Sequence, residues 1–354
     1  MKKKWFLIAG CILLLFGLYQ VLTPLDPEQE KMLRSQLRDT VKEKFPEQAE
    51  KYSKTLGLFP FGGKQGGLRE EQQRHPVVVL VHGLDDPGKV WQNLAPVLVD
   101  EGYSVWQLEY PNDQPIVEST SLFSEELKKL RLLGIDHLEI VAHSMGGLVS
   151  RELLTSSEID YSGLVQQQLV PRVERLIMVG TPNHGSQMAR FRLFAEVRDH
   201  LDRLFKGQAH GLGFLFDGAG EAKIDLLPGG RFLTRLNSRP HPAGVEMFII
   251  AGITAPWSET DIDHWLSTVN EKGGRDSSRE LEQISSIMKS MSNGLGDGLV
   301  TVESARLDNV PFVTVPGTHL SMIRNITMAS DRVPPAVPII VQQLNNEQGV
   351  SFAD

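Results

Sequence analysis

The chain has 354 residues, 41% of them hydrophobic and 23% charged, which is typical of a globular protein with one large α/β domain and insertions. A formal net charge of −8 at pH 7 argues against a nucleic acid or an anionic membrane surface as the main partner, because such sites need basic clusters. The single cysteine, Cys11, excludes an internal disulfide and a cysteine-based zinc site. We therefore expect a small-molecule substrate, no nucleic acid and no metal or other cofactor, and the sequence makes no prediction about protein partners.

An uncharged segment, residues 5–22, follows three lysines at the start of the sequence. At about 1.5 Å per residue, a helix of this length spans roughly the hydrocarbon core of a bilayer. The lysines predict that their end stays in the cytoplasm, and no A-x-A-like cleavage site follows the segment. Residues 1–24 are therefore predicted to be an uncleaved signal anchor that crosses the bacterial inner membrane once, with the rest of the chain on the periplasmic side.

The sequence IAGC, residues 8–11, offers a second interpretation of this segment because it resembles a bacterial lipobox. Cleavage there would leave Cys11 as a lipidated N-terminus. This alternative is less favoured, since only about six apolar residues precede the cysteine where a signal peptide needs roughly 7 to 15.

Residues 25–75 are predicted to connect the anchor to a folded domain. Apolar side chains recur there every four residues, at Leu33, Leu37, Val41 and Phe45. This spacing predicts a helix that stops at Pro46. The glycine-rich and charged stretch that follows predicts a flexible linker.

From residue 77 onward, short apolar runs alternate with segments of helical periodicity. Strands are predicted at 77–83, 104–110, 137–143, 173–182, 245–252 and 310–317, and helices at 90–99, 120–133 and 145–154. Continuous apolar strands separated by helices indicate a mostly parallel sheet with helices on both faces. Residues 76–354 are therefore predicted to form one α/β domain, whose ligands bind at the carboxyl ends of the strands.

One buried strand ends at Ser144, within the sequence AHSMG. This matches small-x-Ser-x-Gly, the nucleophile elbow, in which a strained strand-to-helix turn exposes the serine hydroxyl. The strand and the helix nearly touch at such a turn, so small residues are needed, and Ala142 and Gly146 supply them. The turn also places the Met145 backbone N–H where it can stabilise developing negative charge, and His143 is predicted to support the elbow.

The first apolar strand ends in the sequence VHGLDDPG. His82 and Gly83 let this loop turn sharply, so that the backbone N–H of Leu84 can be a second donor to an oxyanion. We expect His82 to orient the loop through a hydrogen bond and not to act as a base.

Two loops near the C-terminus supply an acid and a histidine, in GDGLVTVESA and PGTHLSM. The chain order Ser144, Asp297, His319 is that of α/β-hydrolases. In this assignment His319 is the general base and Asp297 holds its tautomer. Asp261 and Asp263 could also reach His319, but Asp297 is preferred because glycines flank it.

Six motifs occur in order: VVLVHGL, AHSMGGLVSREL, GTPNHGS, LLPGGRFLTRLN, GDGLVTVESA and GTHLSM. Together they resemble the α/β-hydrolase lipases and esterases of the triacylglycerol-lipase-like group, a group that also resembles the GPI inositol-deacylases. The resemblance covers about residues 77–345 and implies ester hydrolysis through an acyl-enzyme on Ser144, with Leu84 and Met145 as oxyanion-hole donors. The chain departs from the family in having Ala142 where a glycine is commoner and in carrying a long insertion.

Two insertions are predicted within the domain. Residues 185–229 contain an amphipathic helix and many glycines, which predicts either a lid over the site or a helix packed on the core. Residues 253–295 form the second insertion, and its DIDH sequence is read as a helix start and not as a metal site. The sequence Asn325-Ile326-Thr327 fits a glycosylation acceptor, which is expected to be incidental because the N-terminal segment resembles a bacterial one.

These patterns predict a membrane-anchored serine hydrolase that cleaves carboxylic esters of lipid or acyl substrates. An acyltransferase or a thioesterase would use the same triad and would differ in the group that accepts or carries the acyl chain. A catalytically silent α/β-hydrolase-like scaffold at the membrane is the third interpretation. It is disfavoured because such a protein would not need every member of the constellation.

Overall fold

The computed structural model describes residues 26–63, 77–84, 88–186, 220–254, 296–327 and 330–346. The predicted anchor at 1–24, with Cys11, lies outside these residues, as do most of the two predicted insertions. Within the described part of the chain, no helix is both long enough and apolar enough to cross a membrane. The anchor and the lid therefore stay predictions.

Within the residues that the structure describes, seven strands form one sheet in the order β1-β3-β2-β4-β5-β6-β7. The strands are β1 (Gly57–Pro60), β2 (Val77–Val81), β3 (Ser104–Glu109), β4 (His137–His143), β5 (Arg172–Val179), β6 (Glu246–Ile253) and β7 (Phe312–Pro316). β2 to β7 are parallel, and β1 pairs antiparallel with β3 at the edge. The mostly parallel sheet predicted from the sequence is thus present.

Helices connect the strands in the described ranges. They are α1 (Pro27–Lys44), α2 (Pro46–Ser53), α3 (Leu94–Asp100), α4 (Ile116–Leu132), α5 (Met145–Thr155), α6 (Tyr161–Gln166), α7 (Glu221–Asp225), α8 (Arg231–Asn237), α9 (Val302–Ala305) and α10 (Ala336–Asn345). Short 3₁₀ turns occur at 61–63 and 89–91.

Strand β2 shows why both faces of the sheet are covered. All five of its side chains are buried, and successive side chains point to opposite faces. Val79 belongs to an apolar cluster with α4 and α5, whereas Leu80 belongs to a second cluster with α3 and α10. A strand with apolar residues at every position needs helices on both sides, and this sheet has them.

The N-terminal region differs from the prediction in two respects. Residues 57–60, expected to lie in a connector, form the edge strand β1 and belong to the sheet. The predicted helix exists as α1, but it packs on the domain through its charged side. Arg38 is 3% exposed, while Leu33 and Leu37 are 41% and 39% exposed. α1 and β1 are therefore packed parts of the domain and not a free spacer.

Parallel strands bring the predicted site residues to one edge of the sheet. Gly83 and Leu84 follow β2, Ser144 follows β4, and His319 follows β7. Asp297 lies in the loop region between β6 and β7. All of them are at the carboxyl ends of the strands, where open α/β sheets bind their ligands.

Candidate active site

Ser144 has a backbone conformation that L-residues rarely adopt, with φ 54° and ψ −129°. β4 ends at the residue before it and α5 begins at the residue after it. The turn is anchored by a hydrogen bond of 2.9 Å from the Ser144 N–H to the Val179 carbonyl. Such strain is costly and needs support from its surroundings, as expected of a nucleophile elbow.

Glycines make the close approach at this turn possible. A Cβ on Gly146 would lie 2.2 Å from the Val81 carbonyl oxygen and 2.5 Å from that of His82. A Cβ on Gly147 would lie 2.1 Å from Thr181 Oγ1. Because backbone atoms block the first position, only glycine fits at Gly146.

His319 and Asp297 form a buried pair. The Nδ1–H of His319 donates to Asp297 Oδ2 over 2.7 Å, and the two side chains are 9% and 1% exposed. The other carboxylate oxygen, Oδ1, accepts hydrogen bonds from the backbone N–H groups of Leu299 and Val300, both at 2.8 Å. The carboxylate can only accept from His319, so Nδ1 carries the ring proton and Nε2 is left as the basic nitrogen of the neutral imidazole.

Gly180, the first residue of the motif GTPNHGS, is a residue of the site to which the sequence analysis assigned no role. It follows β5 with φ 59°, and a Cβ there would lie 3.2 Å from Asp297 Oδ2 and 3.3 Å from His319 Cε1. The residue before it, Val179, accepts the Ser144 N–H. The sequence feature that could have indicated Gly180 is a glycine directly after an apolar strand.

Asp261 and Asp263, the alternative acids, lie outside the described residues.

His143 contacts the loop that carries His319. Its Nε2 donates to the His319 main-chain carbonyl over 2.9 Å, and the two rings are 4.7 Å apart at 48°. Burial holds the pKa of His143 well below its usual value, and the nearby His319 lowers it further. His143 is therefore neutral at neutral pH, so it does not place a positive charge beside His319.

The loop after β2 lies directly against the elbow. A Cβ on Gly83 would lie 2.6 Å from Ser144 Cβ and 3.2 Å from Ser144 Oγ. The next residue, Leu84, is half-buried, and Met145 is the buried first residue of α5. The N–H of a first helical residue has no acceptor within its own helix, so the Met145 N–H can donate to an anion beside Ser144.

His82 anchors this loop from inside the domain. Its Nδ1–H donates to the Gly83 carbonyl over 2.8 Å, and its ring stacks on Tyr110 with 4.5 Å between centroids. The Tyr110 hydroxyl donates to the His82 carbonyl over 2.6 Å. Burial lowers the pKa of His82 to about 4, so this histidine is neutral at pH 7.

The loop after His319 is fixed by a buried asparagine, Asn325, which is 4% exposed. Its Nδ2 donates to the carbonyls of Ser330 and Arg332, at 3.4 and 2.6 Å. Its N–H donates to Asn93 Oδ1 over 2.7 Å, and its carbonyl accepts from Gln92 Nε2 over 2.5 Å. The side-chain nitrogen of the predicted glycosylation acceptor is thus used within the fold.

Across the ranges that the structure describes, no group of three or more His, Cys, Asp or Glu side chains is arranged to hold a metal ion. The DIDH sequence, residues 261–264, lies outside these ranges.

The fold and the edge site together define the class of the molecule, which has the α/β-hydrolase architecture. A family described as a domain of unknown function (DUF7379) matches residues 120–227. No curated protein matches the chain. Among solved structures, the propeptide form of the Bacillus licheniformis lipase BlEst2 is similar, with a TM-score of 0.51 and 20% identity over 84% of this chain and 55% of that chain. Our chain thus spans about half of that longer form, and the likeness shows a shared fold.

Two further structures resemble the chain. The mature form of the same BlEst2 lipase has a TM-score of 0.49 and 20% identity, over 81% of this chain and 97% of that chain. The phospholipase PlaB from Legionella pneumophila has a TM-score of 0.49 and 16% identity, over 77% of this chain and 60% of that chain. The finer resemblance to GPI inositol-deacylases stays a prediction.

Proposed function

We propose that this protein is a serine hydrolase that cleaves carboxylic esters of lipid or acyl substrates through an acyl-enzyme on Ser144. The observation that carries the proposal is that the strained turn at Ser144 and the buried His319–Asp297 pair lie at the same edge of the sheet. The resemblance of the sequence motifs to lipases and esterases adds support.

In the first half of the reaction, His319 Nε2 takes the proton of Ser144 as Oγ attacks the ester carbonyl carbon. The carbonyl oxygen becomes an oxyanion, which the backbone N–H groups of Leu84 and Met145 stabilise. Collapse of this intermediate breaks the bond to the alcohol, which receives the proton from His319. The acyl group remains on Ser144.

In the second half, His319 takes a proton from water, and the resulting hydroxide attacks the acyl carbon. Collapse returns the proton to Ser144 Oγ and releases the carboxylic acid. Asp297 keeps the imidazole in the required tautomer and stabilises its cation. Two backbone N–H groups hold the other carboxylate oxygen, so the acid has one orientation.

Membrane attachment is part of the proposal. The uncharged segment 5–22, with three lysines before it, supports a single inner-membrane span with the catalytic domain in the periplasm. Attachment through lipidated Cys11 is the less favoured route.

The test is hydrolysis of chromogenic esters with acyl chains from two to twelve carbons, together with labelling by an active-site-directed fluorophosphonate. Ser144→Ala should abolish both signals, because no other group is proposed to carry the acyl chain. Ser121→Ala is the matched control, since this serine is exposed on α4, and it should keep both. Equal hydrolysis and labelling in the two variants would refute the proposal.

A further inference from the structure

Helix α1 turns a charged side towards the domain and exposes three large apolar side chains away from it. Arg38, the buried residue of α1, is 3% exposed. Met32, Leu33 and Leu37 are 56%, 41% and 39% exposed. A helix that packed only on the core of its own domain would bury its leucines and expose its charged residues, because burial of apolar side chains normally stabilises a surface helix.

The contacts of α1 with the domain are ionic. Arg38 pairs with Glu118 at 2.8 Å and with Glu221 at 3.1 Å, and Glu221 is fully buried. Lys31 pairs with Asp225, whose side chain is 2% exposed. These pairs fix the orientation of the helix, since turning the leucines inward would separate Arg38 from Glu221 and Lys31 from Asp225, whose carboxylates are buried.

The acidic partners of α1 lie at the edge of the sheet that holds the candidate active site. Glu118 is in the first turn of α4, which follows the carboxyl end of β3. Asp225 Oδ2 accepts the Ile116 N–H at 3.0 Å, and the Ala222 N–H donates to the Asp113 carbonyl at 3.3 Å. Helix α1 is thus attached beside the carboxyl ends of the strands, where Ser144 also lies.

The connection between the proposed anchor and α1 is short, so the start of α1 lies close to any membrane that the anchor crosses. The apolar segment ends at residue 22, and α1 begins at Pro27. At about 3.5 Å per residue, the connection cannot exceed roughly 17 Å. The polar interface of one leaflet is itself about 5 to 8 Å thick, so the first turn of α1 lies in that interface or within roughly 10 Å of it.

From these observations we infer that the outward face of α1 lies on the bilayer surface and holds the carboxyl edge of the sheet towards the membrane. Met32, Leu33 and Leu37 would enter the interface, with Gln29, Gln36 and Thr40 exposed beside them. The exposed charged residues of α1, Asp39, Glu43 and Lys44, lie in its C-terminal half, further from the anchor. Insertion of apolar side chains does not need the basic cluster that this acidic chain lacks. The inference rests on the proposed anchor and hydrolase, and it names ester lipids of the same membrane as the substrate class.

The binding arm of the test uses the full-length chain with Cys11→Ser and one new cysteine labelled with the fluorophore NBD. Leu33→Cys probes α1. Leu132→Cys is the control, because it is 87% exposed at the end of α4 that points to the opposite edge of the sheet. Vesicles of phosphatidylethanolamine and phosphatidylglycerol carry bromine on the acyl chains. We expect quenching at position 33 at least threefold stronger than at position 132. Equal quenching at both positions would overturn the inference. The inference would also be overturned if the label at position 33 were buried against protein and not quenched by bromine.

The functional arm compares two rates for each variant: hydrolysis of vesicle lipid and hydrolysis of a soluble short-chain ester. In Leu33→Ser/Leu37→Ser the ratio of lipid to soluble-ester rates should fall at least fivefold, whereas Leu132→Ser/Leu133→Ser should keep it. An unchanged ratio in the α1 variant would overturn the inference while leaving the hydrolase intact. Loss of soluble-ester hydrolysis in the unsubstituted chain would instead refute the proposed function.

Discussion

The side chain of His143 holds the main chain of His319, with 2.9 Å between His143 Nε2 and the His319 carbonyl oxygen. The donor comes from the residue before Ser144, so one dipeptide carries the proposed nucleophile and positions the proposed base. Because β4 fixes His143 within the sheet, this hydrogen bond links the loop after β7 to the elbow.

The first prediction concerns this link. His143→Phe removes the donor and should lower kcat about tenfold with little change in KM, because the imidazole of His319 loses its fixed position. His143→Gln can still donate from its side-chain amide and should recover much of kcat. Steady-state measurement of kcat and KM on one soluble ester tests this prediction. A purely space-filling role would give the Phe variant the higher kcat.

The second prediction uses the strained backbone of Ser144. Glycine adopts φ 54° and ψ −129° more readily than alanine does, so Ser144→Gly should be about 1 to 2 kcal/mol more stable than Ser144→Ala. Both variants should be inactive. Urea unfolding monitored by circular dichroism measures the difference, and equal stability would mean that the turn relaxes once the hydroxyl is gone.

The third prediction concerns the docking of α1. Arg38→Met removes the ion pair between Arg38 and the buried carboxylate of Glu221 and should lower the free energy of unfolding by about 3 kcal/mol. Lys54→Met is the matched control, since its pair with Glu50 is exposed and should contribute no more than about 0.5 kcal/mol. Similar losses in the two variants would mean that α1 is not held by its buried charges.

The fourth prediction concerns pH. Burial raises the pKa of Glu139 to about 7, against the opposing effect of Arg175, which donates to it over 2.8 Å. Between the ordinary glutamate pKa and pH 7, the folded state holds a proton that the unfolded state has lost, so this residue makes stability fall as pH rises. Glu139→Gln should remove that component, amounting to no more than about 3 kcal/mol. Unfolding free energies of both proteins at pH 5 and pH 8 test this, and equal pH dependence would contradict it.

The sequence predicted the parallel strands well, because each is a continuous apolar run that both faces of a covered sheet require. The strand at 137–143 was predicted with its observed bounds. The predicted positions of Ser144, Asp297 and His319 at strand ends followed from the same pattern, and the structure places all three at one edge of the sheet. Their catalytic roles remain part of the proposed function.

The N-terminal region was less predictable for a physical reason. β1 is the four-residue sequence GLFP, whose glycine and proline disfavour a strand, and its pairing depends on the distant strand β3. The spacing of Leu33 and Leu37 predicted a helix but could not reveal which side packs. That depends on Glu221 and Asp225, which are nearly two hundred residues away in the sequence.

The buried amide of Asn325 limits the hosts in which this protein can be produced. In a eukaryotic secretory pathway, the acceptor sequence Asn325-Ile326-Thr327 is presented to the glycosylation machinery before the chain has folded. A glycan on Nδ2 would interfere with the hydrogen bonds to Ser330 and Arg332 and could not enter a position that is 4% exposed. We expect secreted material from such a host to contain a glycosylated, misfolded fraction that Thr327→Ala eliminates.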